Sequence, residues 1–393
     1  MLAHGVLPFG LVFAMVTIGI VFLVPGLVVS VTEDAQLPVS ERGYGEDLRA
    51  FTSAGEIAAA RDGASLYDPM AEPYVASGSA RFVNPPWYAI AMIPLSWIPF
   101  DVLWPLWTIV GVVAMFAGLC HLGLTRTEAW VGGALISLAG TLNLLYGQNT
   151  FFVVLVLAAG VVALAQGRDL AGGVAFGLLA FKPHLFFGFV IWWLVDARRR
   201  WRVIAAACVT VGFLAGASAI WLPGAWVGFF ESLASAEELV VPEREVTLIS
   251  SVRLAVGPNL PAVWALSALL IMLVIASLIV GIRRLDGDVR VSSALAIIAS
   301  LLIALHALPY DWLLLMVAIG LLATSGLATV TELTIAGATL AIAELVGLMV
   351  TDAQLEAFDR AIHIAPLVLL AFFAVAVART ARSDTREMPP VAP

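Results

Sequence analysis

Charge is what this sequence has least of. Only 12% of its 393 residues are Asp, Glu, Lys or Arg, against 61% hydrophobic, whereas soluble domains carry about a quarter charged residues. Such a chain cannot cover a globule with polar surface. That excludes a soluble enzyme, a disordered protein and a coiled coil, and leaves a membrane protein. Positive charge is scarcer still, with a net charge of −8. A phosphate backbone calls for a basic face, so no nucleic-acid partner is expected. Cysteine is limited to Cys120 and Cys208, both in apolar runs. They support no disulfide framework, and no metal site is expected. Lysine occurs once, at Lys182, against nineteen arginines.

What fills the sequence instead is apolar runs of roughly 17–25 residues, the length that crosses a bilayer. They lie near 6–30, 102–122, 128–146, 149–166, 170–181, 184–196, 203–221, 261–282, 291–308, 311–327, 331–350 and 361–379. The expectation is an all-α polytopic bundle of about twelve transmembrane helices, with residues 1–393 forming one integral membrane domain. The first run lacks a basic start and a small-residue cleavage site before Glu33, so it reads as an uncleaved helix rather than a signal peptide. No low-complexity tract and no internal repeat stands out.

Arginine sets the orientation. Arg198, Arg199, Arg200 and Arg202 cluster, as do Arg283, Arg284 and Arg290, and Arg379, Arg382 and Arg386 mark the tail. Arg126 and Arg168 sit in short connections. All fall on one side if both termini and the tail at 380–393 are cytoplasmic. The opposite side then receives a first external loop, 31–101, and a second, 222–260, whose polar stretches are acidic. This parity requires that 84–99, which is short, proline-bounded and rich in Trp and Tyr, lies re-entrant or on the surface. The competing parity makes 84–99 a span and fuses 170–196 into one helix, burying Lys182 with Pro183 behind it, at greater cost.

Long structured loops tend to carry function. In the first, Leu48, Phe51, Ala54, Ile57 and Ala58 recur at helical spacing opposite Glu46, Arg49, Glu56 and Arg61. The pattern predicts an amphipathic helix at the membrane surface. Asp47 stands at its start. It is either a helix N-cap, since Asp is a preferred cap, or a general base beside a membrane-borne substrate.

The motifs Asp47-Leu48-Arg49-Ala50-Phe51, Gly63-Ala64-Ser65-Leu66-Tyr67-Asp68-Pro69 and Phe82-Val83-Asn84-Pro85-Pro86 occur in that order. Gly147-Gln148-Asn149, Phe181-Lys182-Pro183 and His306-x-x-x-Tyr310-Asp311 follow. The ordered set resembles glycosyltransferase family 87, the polyprenol-phosphate-mannose-dependent α-mannosyltransferases, which include mycobacterial phosphatidylinositol-mannoside mannosyltransferases. Phe51 stands where the family pattern has Tyr, and Asn84 where it has an aromatic residue.

The resemblance implies a GT-C type bundle with a structured first external loop and an active site facing outward from a plasma membrane. It implies a polyprenyl-phosphate-mannose donor, a glycolipid or lipoglycan acceptor, surrounding membrane lipids and no cofactor, nucleotide or metal. The family's catalytic carboxylate follows the first helix, and the matching position is Asp47. Inversion at a β-linked mannosyl donor would give an α product.

A departing lipid phosphate gains charge, which a fixed cation stabilises. Lys182 suits that task, or else snorkels to the headgroups. His184 is a second candidate there or a helix-face histidine bonded to a carbonyl. His306 is a donor-phosphate or sugar contact with Asp311 orienting its imidazole, or the two form a structural pair. Arg253 is a further phosphate candidate or a headgroup-facing arginine. Gln148 and Asn149 could bind sugar hydroxyls, although a turn cap also accounts for Asn149. Glu46 and Tyr310 complete the candidate substrate contacts.

Composition alone also fits a secondary transporter, a lipid flippase or a scaffold subunit. Transporters show repeats and midplane polar groups, whereas here the polar candidates gather at one face, apart from Glu332 and Glu344. Another polyprenyl-phosphate-linked hexose or pentose, arabinose included, fits the same pattern. The bias to Arg, Ala and Val points to a GC-rich bacterial genome.

Overall fold

A computed structural model describes residues 44–79, 82–123, 137–234, 245–257, 259–285, 287–327 and 365–383. The described residues are helical, with no strand among them. The expected spans over 6–30 and 331–350, the start of that over 128–146, Glu332, Glu344 and most of the tail lie outside them.

The segment 44–98 builds a cap. Helix α1 (Glu46–Ala59) buries the predicted stripe of Leu48, Phe51, Ala54, Ile57 and Ala58. The expectation that this face meets the membrane surface is corrected. It packs on α3 (Pro86–Ser96), and both belong to one apolar cluster with Leu66, Tyr67, Tyr74, Phe82, Leu103 and Leu222. Burying each large apolar side chain stabilises the cap by about 1.5–3 kcal/mol. Arg49, expected on the polar face, is also buried, donating to the Tyr44 carbonyl.

Between these helices, α2 (Glu72–Ser77) folds over the motif that precedes it. The Tyr74 hydroxyl donates to the Leu66 carbonyl at 2.7 Å, and the Tyr67 hydroxyl to the Asn84 carbonyl at 2.6 Å. The Leu66-Tyr67-Asp68-Pro69 and Asn84-Pro85-Pro86 motifs thus brace each other. Eleven residues make α3 about 16 Å long, half the roughly 30 Å hydrocarbon core. As a straight helix it is too short to cross that core alone.

Among the described residues, three helices are long and apolar enough to cross a membrane: α4 (Phe100–His121), α9 (Ala197–Trp221) and α12 (Leu260–Arg284). Their surfaces stay largely uncovered by protein, as at Phe213 and Ile220, which are 72% and 84% exposed. Lipid is the solvent such surfaces require. The other expected spans that fall within the described residues form shorter helices. These are α5 (Ser137–Tyr146), α6 (Thr150–Ala165), α7 (Asp169–Leu178), α8 (Phe187–Val195), α13 (Val289–Ile303), α14 (Leu315–Thr324) and α15 (Ala365–Ser383), with α10 (Ala225–Ala234) and α11 (Leu248–Val256) in the second loop.

Close packing fixes their directions. Gly173 of α7 meets Val203 and Ala206 of α9, and Gly177 meets Ala207 and Thr210, so α7 and α9 run parallel. Gly160 of α6 meets Ala175 and Phe176 of α7, while Gly172 meets Leu164, so α6 and α7 run antiparallel. Thr150, Phe181 and Trp221 therefore end at one face, the capped one. Arg168 and the run from Arg198 to Arg202 end at the other. The cap is fastened by the Trp221 indole, which donates to the Ala58 carbonyl at 3.0 Å.

A Cβ at Gly173 would lie 2.4 Å from the Val203 carbonyl oxygen and 2.6 Å from the Ala206 Cβ. Overpacking of this kind destabilises by about 1–3 kcal/mol. Gly173→Val should therefore lower the thermal midpoint of the purified protein, read by size-exclusion fluorescence after heating. An unchanged midpoint would contradict the α7–α9 packing.

Candidate active site

The site forms where four segments meet at the capped end. The first is the start of α1. Its N-cap position is Gly45, and no side chain caps the helix. Asp47 is therefore not the cap, and its carboxylate is left for other partners.

The second is the turn Gly147-Gln148-Asn149 between α5 and α6. Gly147 has φ +68°, and a Cβ there would lie 2.6 Å from the Leu48 Cβ. Only glycine both makes this turn and admits α1 against it. The Gly45 amide donates to the Leu145 carbonyl at 2.6 Å, completing the join.

The third is Lys182, at the break between α7 and α8. Short 3-10 turns at Leu179–Phe181 and Pro183–Phe186 flank it. Proline denies the helix a donor and clashes with the preceding turn, so the two arms separate here, as the Lys182-Pro183 pair predicts. The fourth is the 3-10 turn Pro309–Leu314. The Asn143 amide of α5 ties it down, donating to the Tyr310 carbonyl at 2.9 Å.

One polar network joins all four. The Lys182 ammonium donates to Asp311 Oδ1 at 2.8 Å, to Gln148 Oε1 at 3.3 Å and to Thr150 Oγ1 at 3.5 Å. It lies 5.1 Å from the centre of the Tyr310 ring. Gln148 Nε2 donates to Asp47 Oδ2 at 2.8 Å. The amide orientation follows from its neighbours: oxygen toward the ammonium, nitrogen toward the carboxylate. Lys182, Asp311 and Gln148 are buried and Asp47 is partly buried.

Lys182 is paired with Asp311, and one expectation is corrected. Asp311 does not orient His306, because its oxygens accept from Lys182 and from the Leu308 amide at 3.2 Å. Glu245 takes that place, with Oε1 bonded to His306 Nδ1. The Glu245 Oε2 accepts from Ser250 at 3.0 Å, and Ser250 pairs with Thr247 at 2.8 Å. His184 is half-buried, its ring 6.1 Å from that of His306. Asn149 sits at the α6 N-cap position without capping. It donates instead to the Tyr88 hydroxyl at 2.8 Å, and Tyr88 stacks on Phe181 at 4.7 Å beside Lys182. Glu46 is partly buried and next to Asp47. Arg253 lies on α11 with no side-chain partner among the described residues, outside the network.

Sequence reasoning missed Thr150, Tyr88, Asn143 and Glu245. Thr150 and Tyr88 adjoin quoted motifs, so adjacency could have flagged them. Glu245 and His306 are 61 positions apart, and no periodicity links them.

Burial pushes the Asp47 carboxyl up to about 6, with the Gln148 hydrogen bond and the Lys182 charge pulling the other way. For His306, burial lowers the imidazole pKa, but the Glu245 hydrogen bond and charge outweigh it and hold the ring's pKa above the ordinary range. The site therefore holds a carboxyl whose pKa is raised toward neutrality, one buried ammonium, and a half-exposed histidine that takes up a proton more readily than an ordinary imidazole.

The sequence model of glycosyltransferase family 87 matches residues 82–309, more than half of the chain. Searches of curated proteins and of solved structures gave no match. The matched stretch contains Gln148, Lys182 and His306. Asp47 and Asp311 lie outside it and are joined to it through hydrogen bonds to Gln148 and Lys182.

The direction of the Asp47 titration is checkable. Difference infrared spectra of the native chain against Asp47→Asn should show a carboxyl that loses its proton near pH 6. Gln148→Leu removes the hydrogen bond that favours the carboxylate, so it should move that midpoint higher. A midpoint near pH 4, the ordinary carboxylate range, would contradict the described environment.

Proposed function

The chain belongs to glycosyltransferase family 87 and is a membrane glycosyltransferase, and we propose that it moves a mannosyl residue from a polyprenyl-phosphate-mannose donor to a glycolipid or lipoglycan acceptor. The observation that carries this reading is the Asp47 carboxylate, held by Gln148 in one network with Lys182 at the capped end. A base, a cation and a rim within reach of lipid substrates are what such a transfer requires.

In the proposed reaction the Asp47 carboxylate takes the proton of an acceptor hydroxyl. The acceptor oxygen attacks the anomeric carbon from the face opposite the phosphate. The bond from that carbon to the phosphate oxygen breaks, and its electron pair leaves with the lipid phosphate, so the configuration inverts. Lys182 and the His306 imidazolium offset the charge that grows on the departing phosphate. Asp311 and Glu245 hold these two cations in position. Gln148 keeps one carboxylate oxygen of Asp47 fixed and leaves the other for the incoming proton.

The two ends of the bundle differ in charge, which sets the orientation we propose. The arginine-rich end faces the cytoplasm and the capped end faces outward across the plasma membrane of a bacterium. After replacement of Cys120 and Cys208 by alanine, a cysteine at Ala76 should react with an impermeant thiol reagent in intact cells. A cysteine at Arg284 should react only after lysis. The reverse pattern would overturn the orientation.

Transfer should be measured with the purified protein in bilayers, polyprenyl-phosphate-[14C]mannose and lipid acceptors, without a transmembrane gradient. Asp47→Asn keeps volume and can still accept from Gln148, so the fold should survive. Turnover should fall at least about a hundredfold, the lower range for a positioned base. Glu46→Gln should change it far less. Near-normal turnover in Asp47→Asn would remove the base from Asp47.

A further inference from the structure

The face of α1 turned away from Asp47 borders a second cavity. Arg49, Thr52 and Glu56 follow helical spacing along it, and Ser77, Ser96 and Trp97 close the other walls. Its volume is about 310 Å³, at the lower end of small-molecule sites. It opens where α3 turns into α4, at the rim of the bundle. Nothing in the proposed transfer uses it.

Arg49, 3% exposed, brings the cation of these walls and donates to the Tyr44 carbonyl, while the other polar side chains are hydroxyls, the Glu56 carboxylate and the Trp97 indole. The Thr52 hydroxyl donates to the carbonyls of Leu48 and Arg49 at 3.1 and 3.0 Å. Ser96 donates to the Ile93 carbonyl at 2.8 Å, and Ser77 to the Tyr74 carbonyl at 3.2 Å. Each of these hydroxyl protons is used within the protein, which leaves the oxygens able to serve as acceptors. Glu56 is exposed and adds carboxylate oxygens. Such a wall suits a ligand rich in O–H donors, and the Glu56 carboxylate offsets the Arg49 charge that would attract an anion.

Beside these acceptors stands Trp97, 73% exposed. No protein group claims most of its surface. A pyranose ring has one face of C–H groups and a rim of hydroxyls. It therefore matches an aromatic face next to hydroxyl and carboxylate acceptors, whereas a phosphate matches neither. The cavity's position at the rim puts it within reach of a headgroup borne on a lipid.

We propose that this groove is a second, non-catalytic site that binds the neutral saccharide headgroup of a membrane glycolipid. Trp97 supplies the stacking face, and Glu56, Thr52 and Ser96 accept from the hydroxyls. The choice of mannose as probe rests on the function proposed above; the groove itself rests on its own walls.

The test uses the full chain in lipid nanodiscs free of sugar detergents. Saturation-transfer difference NMR is recorded with methyl α-D-mannopyranoside, and separately with inorganic phosphate as competitor. The native chain should give saturable mannoside signals that phosphate does not displace. Trp97→Ala and Glu56→Gln should each weaken binding by about fivefold or more, the scale of one aromatic or charged contact, while Trp97→Phe retains most of it. Asp47→Asn should bind the mannoside normally while losing transfer. Absent signals in the native chain, displacement by phosphate, or affinity unchanged in Trp97→Ala and Glu56→Gln would each overturn the groove and leave the transferase reading standing. Variant-sensitive binding in a native chain that transfers no sugar would overturn the transferase reading instead.

Discussion

A single buried ammonium governs the arrangement of this site. Lys182 sits 7% exposed at the end of an apolar bundle, where an unpaired charge is expensive to hold. Its neutralisation draws two distant segments to it: the Pro309–Leu314 turn through Asp311, and the α5–α6 junction through Gln148 and Thr150. Gln148 then carries the polarity one step farther, to Asp47 on the cap. Removing one partner of such a buried pair typically destabilises by about 3–5 kcal/mol. The pair is therefore as much a specification of geometry as a feature of chemistry.

The cap explains why a carboxylate can sit beside this cation without being captured by it. Leu48, Phe51 and the rest of the α1 stripe dock onto α3, and Gly147 lets the helix start press against the turn. That docking holds Asp47 at an amide's length from Lys182 rather than in a direct ion pair. Partial burial then raises its pKa to about 6, while Gln148 and Lys182 keep it from rising further. A carboxylate salt-bridged to the lysine would be a weaker base. One left in open solvent would be hydrated and mobile.

Much of this was legible in the sequence, and the reasons differ by residue. The α1 stripe and the Lys182-Pro183 break were readable because both are local: one is a helical period, the other a missing backbone donor. The shortness of 84–99 was readable from its prolines. What covers the stripe was not, because an apolar face looks the same whether lipid or α3 meets it. Local spacing left Asp47 as a cap or a base; the structure puts Gly45 at the cap position and brings Gln148, 101 residues away, onto the Asp47 carboxylate. Lys182 looked unpaired and Asp311 looked like the partner of His306 because the true pairings, Lys182 with Asp311 and His306 with Glu245, span 129 and 61 positions. Nor could the turn position of Asn149 reveal that its amide would hold Tyr88 rather than cap α6.

The central claim is that donor and acceptor meet between Asp47 and the Lys182–His306 pair at the capped end. The most direct measurement is an electron cryomicroscopy structure of the full chain with a non-cleavable polyprenyl-phosphonate mannose analogue. The account predicts the phosphonate beside Lys182 and His306, with the sugar's anomeric carbon reachable from a hydroxyl bonded to Asp47, at a near-attack separation of about 3–3.5 Å. A phosphonate seated among Arg198, Arg199 and Arg283 at the opposite end, with the capped site unchanged, would contradict it.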